Sequence, residues 1–196
     1  MVTLQNTIDN NREVFLGDLK NEFYIYGTIK VESNKKIWGK GAKIIQLQDN
    51  TPIFDMVDKK NITIDSLILI GKGDDYQPSS SSLVVGINCW GANSILIMNS
   101  TFKNFSNAGI LGLRNTSDII ISGNYFYGTG NNNPKYYQKD HTGVTIGGNK
   151  IFIKGNSFSN SSQGIIIAEN SRNIYILNNT INNTTLEHSI YISTLQ

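Results

Sequence analysis

The sequence predicts an all-β solenoid, a parallel β-helix in which each turn of the chain stacks on the one before. Three observations lead there: a composition rich in strand and corner formers, an Ile-x-Ile pair recurring at coil-length intervals, and further columns that keep step with that pair.

The composition comes first because it limits the choices. Of 196 residues, 29 are Ile and 26 are Asn, against 3 Pro. Ile favours strands and Asn tolerates the left-handed conformation of tight corners. Ala and Leu are sparse, so many short strands joined by corners are expected. A chain of this length normally makes one domain with a sizeable core. The expected organisation is a single unit, 1–196, with an N-terminal cap over 1–20 and β-helix coils over 21–196. Charged residues make up 16%, the formal net charge is +2, and Lys and Arg are scattered without runs, which excludes a nucleic-acid footprint. No apolar stretch reaches the roughly 18 residues needed to span a bilayer, and the N-terminus lacks the layout of a secretory signal. The expectation is a soluble chain, or one already trimmed. The single cysteine, Cys89, lies in the apolar run 83–90 and is expected to be a packed core thiol.

The repeat is carried by Ile62/Ile64, Ile95/Ile97, Ile119/Ile121, Ile151/Ile153 and Ile174/Ile176, whose starts are separated by 33, 24, 32 and 23 residues. Two spacings are those of a plain coil, and two are the same coil with about nine residues inserted. Five residues after the second Ile comes a bulky apolar column, Leu69, Phe102, Phe126, Phe158 and Ile181. Three residues after it comes a polar corner column, Ser100, Asn124, Asn156 and Asn179, whose stacked amides form a structural ladder. The coil then returns through a strand containing Gly109-Ile110, Gly143-Val144, Gly164-Ile165 and Ser189-Ile190. Alternation places Ile110, Val144, Ile165 and Ile190 inside, with Ile146, Ile167 and Ile192 two places on, and His188 inside as a satisfied core histidine.

A left-handed β-helix needs a six-residue rhythm and the Ca²⁺-binding nonapeptide roll needs G-G-x-G-x-D; neither occurs. A β-sandwich supplies short strands but no aligned Asn and Phe columns. The stacked I-x-I, N-x-F and G-I-x-I columns instead resemble the pectate-lyase-like superfamily of right-handed parallel β-helices, over roughly residues 20–193. Residues 3–10 resemble the end of the short helix that caps the N-terminal mouth of such solenoids, and Ile37, Gly39, Gly41, Ala42 and Ile44 resemble the I-x-G-x-G-A-x-I segment of the first full coil. The resemblance implies a right-handed parallel β-helix with a short capping helix. It does not imply one activity, because lyases, hydrolases, epimerases, phage tailspikes and non-catalytic adhesins share the fold. It implies an extracellular, cell-surface or virion-associated setting.

Both insertions, 71–78 and 128–141, enter between the Phe column and the returning strand. Insertions of this kind gather on one face of a solenoid, and loops two coils apart stand roughly 10 Å from each other, so they can wall a groove. Outward positions on the returning strand are Asn107, Leu111, His141, Thr145, Ser162, Ile166, Glu187 and Tyr191. Tyr76, Tyr136, Tyr137 and Tyr191 offer flat amphipathic faces on which sugars stack.

Three functional readings follow from this inventory. The first is a lyase or C5-epimerase acting on an acidic polysaccharide, which needs a base for the proton beside a uronate carboxylate and a cation that neutralises that carboxylate. His141, Lys139, Tyr137 and Tyr191 are the candidate catalytic groups. Asp74, Asp75 and Asp140 are candidate Ca²⁺ ligands, though no cofactor is required. Tyr76, Tyr136, Asn107, Arg114 and Glu187 are candidate substrate contacts. Lys139-Asp140-His141 is similar to the D-P-H element of mannuronan epimerases without its Pro, and Glu187–Ser193 resembles the E-H-G-I-Y-I-S strand of several β-helix polysaccharide lyases. The second reading is hydrolysis by two carboxylates, with Asp140 and Glu187 as the pair, although the polygalacturonase signature is missing. The third is a non-catalytic tailspike- or adhesin-type solenoid, favoured by an inventory of only two His and no dense basic cluster. The partner in all three is a polysaccharide, with no nucleic acid and no membrane. The strand Ile190–Ile192 lies close to residue 196, and an uncapped coil leaves apolar groups and strand edges in water, so a continuation of the chain or a homo-oligomer such as a trimer is expected. The many N-x-S/T triplets follow from Asn- and Ser-rich corners and carry no glycosylation argument.

Overall fold

The Ile-x-Ile pairs set the register of the whole molecule. The computed structural model describes residues 3–18, 21–48, 51–72, 84–129, 142–168, 170–184 and 188–193. Its strands form one continuous parallel sheet wound into a right-handed β-helix. The first coil holds β1 (Glu13–Asp18), β2 (Glu22–Ile25) and β3 (Ile29–Lys30), and in the second β4 (Lys36–Gln46) spans two faces before β5 (Phe54–Asp55). The third holds β6 (Lys60–Ile70) and β7 (Val85–Asn88); the fourth holds β8 (Asn93–Met98), β9 (Thr101–Lys103) and the first half of β10 (Ala108–Ser122). The rest of β10, β11 (Tyr125–Tyr127) and the first half of β12 (Thr142–Lys154) make the fifth. The remainder of β12, β13 (Ser157–Ser159) and β14 (Gln163–Ile167) make the sixth, and β15 (Arg172–Leu177), β16 (Thr180–Asn182) and β17 (Ile190–Ile192) the seventh. Each coil thus has a first face, a second face and a returning third face.

Every column expected from the sequence pairs in register. Ile62, Ile95, Ile119, Ile151 and Ile174 are successive partners on the first face. On the second face Leu69, Phe102, Phe126, Phe158 and Ile181 succeed one another. The rings of Phe102, Phe126 and Phe158 stack at centroid separations of 4.8 and 4.6 Å, which is the strand spacing itself. This stack explains the glycine column. A Cβ on Gly109 would lie 2.7 Å from Cδ1 of Phe126, and one on Gly86 would lie 2.8 Å from Cδ1 of Phe102, so the returning strand approaches each ring as only glycine allows.

The polar corner is a hydrogen-bonded ladder. The side-chain carbonyl of Asn124 accepts from the backbone N–H of Ser100, that of Asn156 from Asn124, and that of Asn179 from Asn156, each at 2.9 Å. The amides of Asn124, Asn156 and Asn179 donate in turn to the carbonyls of Ile97, Ile121 and Ile153. Buried corner groups are thereby satisfied without water. Asn also takes the left-handed positions at other corners, as at Asn34, Asn61 and Asn173, all with φ between 54° and 65°.

At the N-terminal mouth, α1 (Leu4–Asn10) is capped by Thr3, whose hydroxyl accepts from the N–H of Asn6, and its Ile8 is fully buried over the first coil. The amide of Gln5 both accepts from the N–H of Lys30 and donates to its carbonyl, each at 2.9 Å, standing in for the neighbour that the first strand of a sheet lacks. Lys35 donates to the carbonyls of Ile8, Asp9 and Asn11 at the helix end. The sheet begins at Glu13, inside the stretch 1–20 expected as cap, and Ile37–Ile44 lies in the second rung.

Cys89 is buried as expected, with Sγ donating to the carbonyl of Leu111, and desolvation pushes its thiol up to about 12. The last rung departs from expectation. Ile190 and Ile192 pair with Ile165 and Ile167 but are 42% and 60% exposed, because no further rung packs over them among the described residues. His188 is exposed instead of buried in the core, and its ring lies against that of Tyr191 at 5.7 Å.

Candidate functional site

From the third coil to the sixth the returning face is buried on both sides. Val85–Asn88 and Gln163–Ile167 are buried at every position, whereas first-face strands alternate. Inward residues such as Ile110, Val144 and Ile165 belong to the main core, while Leu111 joins Val85 and Ala108 in a separate outer cluster with Trp90 and Leu113. The outward row runs Asp55, Asn88, Leu111, Thr145, Ile166, Tyr191, one residue per rung.

Four of those residues, Leu111, Thr145, Ile166 and Tyr191, line a groove of about 900 Å³ that crosses the corner from the returning face to the first face. Small residues open that corner: Gly147, Gly148 and Ala168 line it, and Gly148 has φ +139 with its Cα packed against the carbonyl of Thr116. The polar lining consists of amides and hydroxyls, among them Asn107, Asn115, Asn149, Asn170 and Ser193, together with two guanidinium groups, Arg114 and Arg172.

Arg114 sits in a left-handed corner (φ 54°) and its guanidinium lies over the ring of Trp90 at 4.9 Å. That stacking holds the charge at the groove edge without neutralising it. Arg172 opens β15, opposite Asn149 of β12. Neither arginine has an ion-pair partner among the described residues, and no carboxylate is among the described residues that line the groove. The corner of Arg114 leads into the fifth coil and Arg172 begins the seventh, so the two charges are about 10 Å apart along the solenoid axis.

Of the residues singled out in the sequence, Asn107, Arg114 and Tyr191 come together in this groove. Tyr76, Asp74, Asp75, Tyr136, Tyr137, Lys139, Asp140, His141 and Glu187 lie outside the described residues. No cluster of His, Cys, Asp or Glu among the described residues is suited to a metal ion. Sequence reasoning missed Arg172, Asn149, Asn170 and Trp90. Arg172 lies two residues before Ile174, beyond the corner that the groove turns, whereas alternation on the returning strand points only to outward residues of that strand.

The model of the right handed beta helix region family matches residues 85–195, and the chain belongs to that family. No curated protein matches the sequence. Among solved structures, a "putative glycosyl hydrolase" from Parabacteroides merdae ATCC 43184 aligns over 89% of this chain and 85% of its own, with TM-score 0.67 and 15% identity, a likeness of fold. The surface protein and adhesin PfbA of Streptococcus pneumoniae aligns over 98% of this chain and 95% of its own, at 11% identity and TM-score 0.23. Among the described residues no helix is long and apolar enough to cross a membrane.

Proposed function

We propose that the groove holds an acidic polysaccharide whose chain runs along the solenoid axis across the fifth to seventh coils. The observation that carries this reading is the pair of unpaired guanidinium groups, Arg114 and Arg172, in a groove whose described lining has no carboxylate. Guanidinium binds carboxylates in a bidentate fashion, and the surrounding Asn and Thr groups suit hydroxyls. The spacing of about 10 Å, two rungs, suits carboxylates on sugar units that are not adjacent. The name of the Parabacteroides merdae neighbour supports a carbohydrate only as a class.

The chemistry that fits is proton abstraction beside a uronate carboxylate, leading to elimination or to epimerisation. An arginine neutralises the carboxylate and so stabilises the charge that develops as the proton leaves. Tyr191 lines the groove, with the ring of His188 against it; as a phenolate its oxygen would take the proton from C5, and the phenol so formed would give it to the departing glycosidic oxygen in elimination or back to the opposite face of C5 in epimerisation. Lys139, His141 and Tyr137 remain candidate partners for this step. An extracellular or surface location suits such a ligand.

The test is incubation with a panel of acidic polysaccharides in deuterated water, following the ultraviolet absorbance of unsaturated uronates, deuterium incorporation at C5 as the mark of epimerisation, reducing ends, and retention in affinity electrophoresis. New absorbance shows elimination; reducing ends alone show hydrolysis and reject the proposed chemistry. Binding without turnover leaves a tailspike- or adhesin-type role. If no acidic glycan is retained at low salt, the reading is wrong.

A further inference from the structure

The outer side of the first face carries apolar side chains that a solvated face does not need. Leu96, Ile120, Phe152 and Tyr175 succeed one another in a single row over the fourth to seventh coils. Ile120 is 36% and Tyr175 44% exposed, and the rings of Phe152 and Tyr175 stack at 4.6 Å. The neighbouring row, two residues on, contains Asp65 on the third coil, Met98 on the fourth, Ser122 on the fifth, Lys154 on the sixth and Leu177 on the seventh. Neither row lines the groove, which reaches this face only at its leading corner, through Asn149 and Arg172.

The geometry points to a second copy of this chain as the occupant of the first face, in an antiparallel two-fold dimer. The argument is charge complementarity under symmetry. A two-fold axis parallel to the strands, placed between the fourth and fifth coils, reverses the solenoid direction and keeps each row facing itself. The fourth coil then meets the fifth, and the third meets the sixth. Leu96 lies against Ile120 of the second copy at the centre, and Asp65 lies against its Lys154, the ion pair occurring twice. A two-fold axis along the solenoid would instead set each coil against its equal, leaving Asp65 opposite Thr63 and Lys154 opposite Phe152. Moving the axis by half a coil sets Asp65 against Ser122 in one direction and against Leu177 in the other. The charges therefore select one arrangement, and it is the one that buries the apolar row. Asp65 is prepared for the contact: Ser66 and Asn99 both donate to its Oδ1, at 2.8 and 3.1 Å, which orients the carboxylate and leaves Oδ2 available.

The face is narrow. Five rung steps from the second coil to the seventh give a length of about 24 Å, so the contact sits at the small end of specific interfaces and is expected to be reversible. The arrangement is isologous and closes on itself, so it yields a dimer and not a filament.

The experiment is sedimentation velocity on the full chain from about 1 to 200 µM, a range that brackets a contact of this size, with circular dichroism confirming that every variant is folded. The wild type should convert from monomer to dimer across that range. Ile120→Lys should abolish the dimer, as should D65K and K154D singly, while the double variant D65K/K154D should restore it. Zero-length carbodiimide coupling of a mixture of ¹⁵N-labelled and unlabelled chains should give a mixed-isotope peptide joining Asp65 to Lys154. Within one chain those residues are three rungs, about 14 Å, apart and cannot couple directly. A monomer throughout the range, a trimer, or an association that survives both Ile120→Lys and the single charge reversals overturns the proposal.

Discussion

Replacing Phe126 by Ala tests the register on which the fold rests. The ring is fully buried, and it stacks between Phe102 and Phe158 with interplanar angles of 11° and 5°. The backbone ladders hold adjacent rungs at about 4.8 Å, so the two outer rings cannot close over the gap and the cavity persists. The cost should therefore reach about 3–5 kcal/mol, a large share of the stability of a single domain. Urea unfolding followed by far-ultraviolet circular dichroism gives the difference directly, and a loss below about 1 kcal/mol would refute the packing argument. A second variant sharpens the test. Gly109→Ala places a Cβ 2.7 Å from Phe126 Cδ1 and 2.8 Å from the carbonyl of Gly143. Alone it should destabilise; in the Phe126→Ala background the first clash is gone and the second remains, so the two effects should be less than additive. Full additivity would mean that the glycine column has nothing to do with the ring stack.

Asn156→Ala should cost roughly 2–4 kcal/mol in the same assay, because it removes four side-chain hydrogen bonds and leaves the buried N–H of Asn124 without an acceptor. Cys89 should resist a thiol reagent at pH 8 in the folded protein and react fully in urea. Its folded value of about 12 lies above the ordinary 9.0, so the unfolded chain loses this proton first; the thiol's contribution to stability is present below about 9 and declines as pH rises towards 12, which Cys89→Ala should abolish. Arg114→Ala and Arg172→Ala should each weaken retention of an acidic glycan by roughly ten-fold or more without changing the melting temperature by more than a few degrees, and the wild-type affinity should fall with added salt. Equal retention of neutral and acidic glycans by both variants and the wild type would remove the guanidinium argument.

Much of the architecture is decided by local chemistry. Because side chains alternate along a strand and parallel rungs stack in register, the spacing of Ile62, Ile95, Ile119, Ile151 and Ile174 determines which residues meet, and the Phe and Asn columns follow at constant offsets. The same alternation identified Leu111, Thr145, Ile166 and Tyr191 as one outward row. Other features depend on what lies beside a residue in space. His188 and Ile190 have the parity of core residues, yet among the described residues their rung is covered from one side only, and parity says nothing about covering. Glu13–Asp18 carries too little pattern to be recognised as a rung; its parallel pairing with β4, from Glu13 against Lys36 onward, makes it one. The groove is the clearest case. Arg114 and Arg172 are 58 residues apart in sequence and are brought about 10 Å apart along the axis only because two intervening coils stack between them. Sequence by itself determined the columns, since these are set by short-range alternation repeated coil after coil. Tertiary structure alone decided which corner opens, which charges stay unpaired there and which rows face water, because each of these depends on neighbours contributed by different coils.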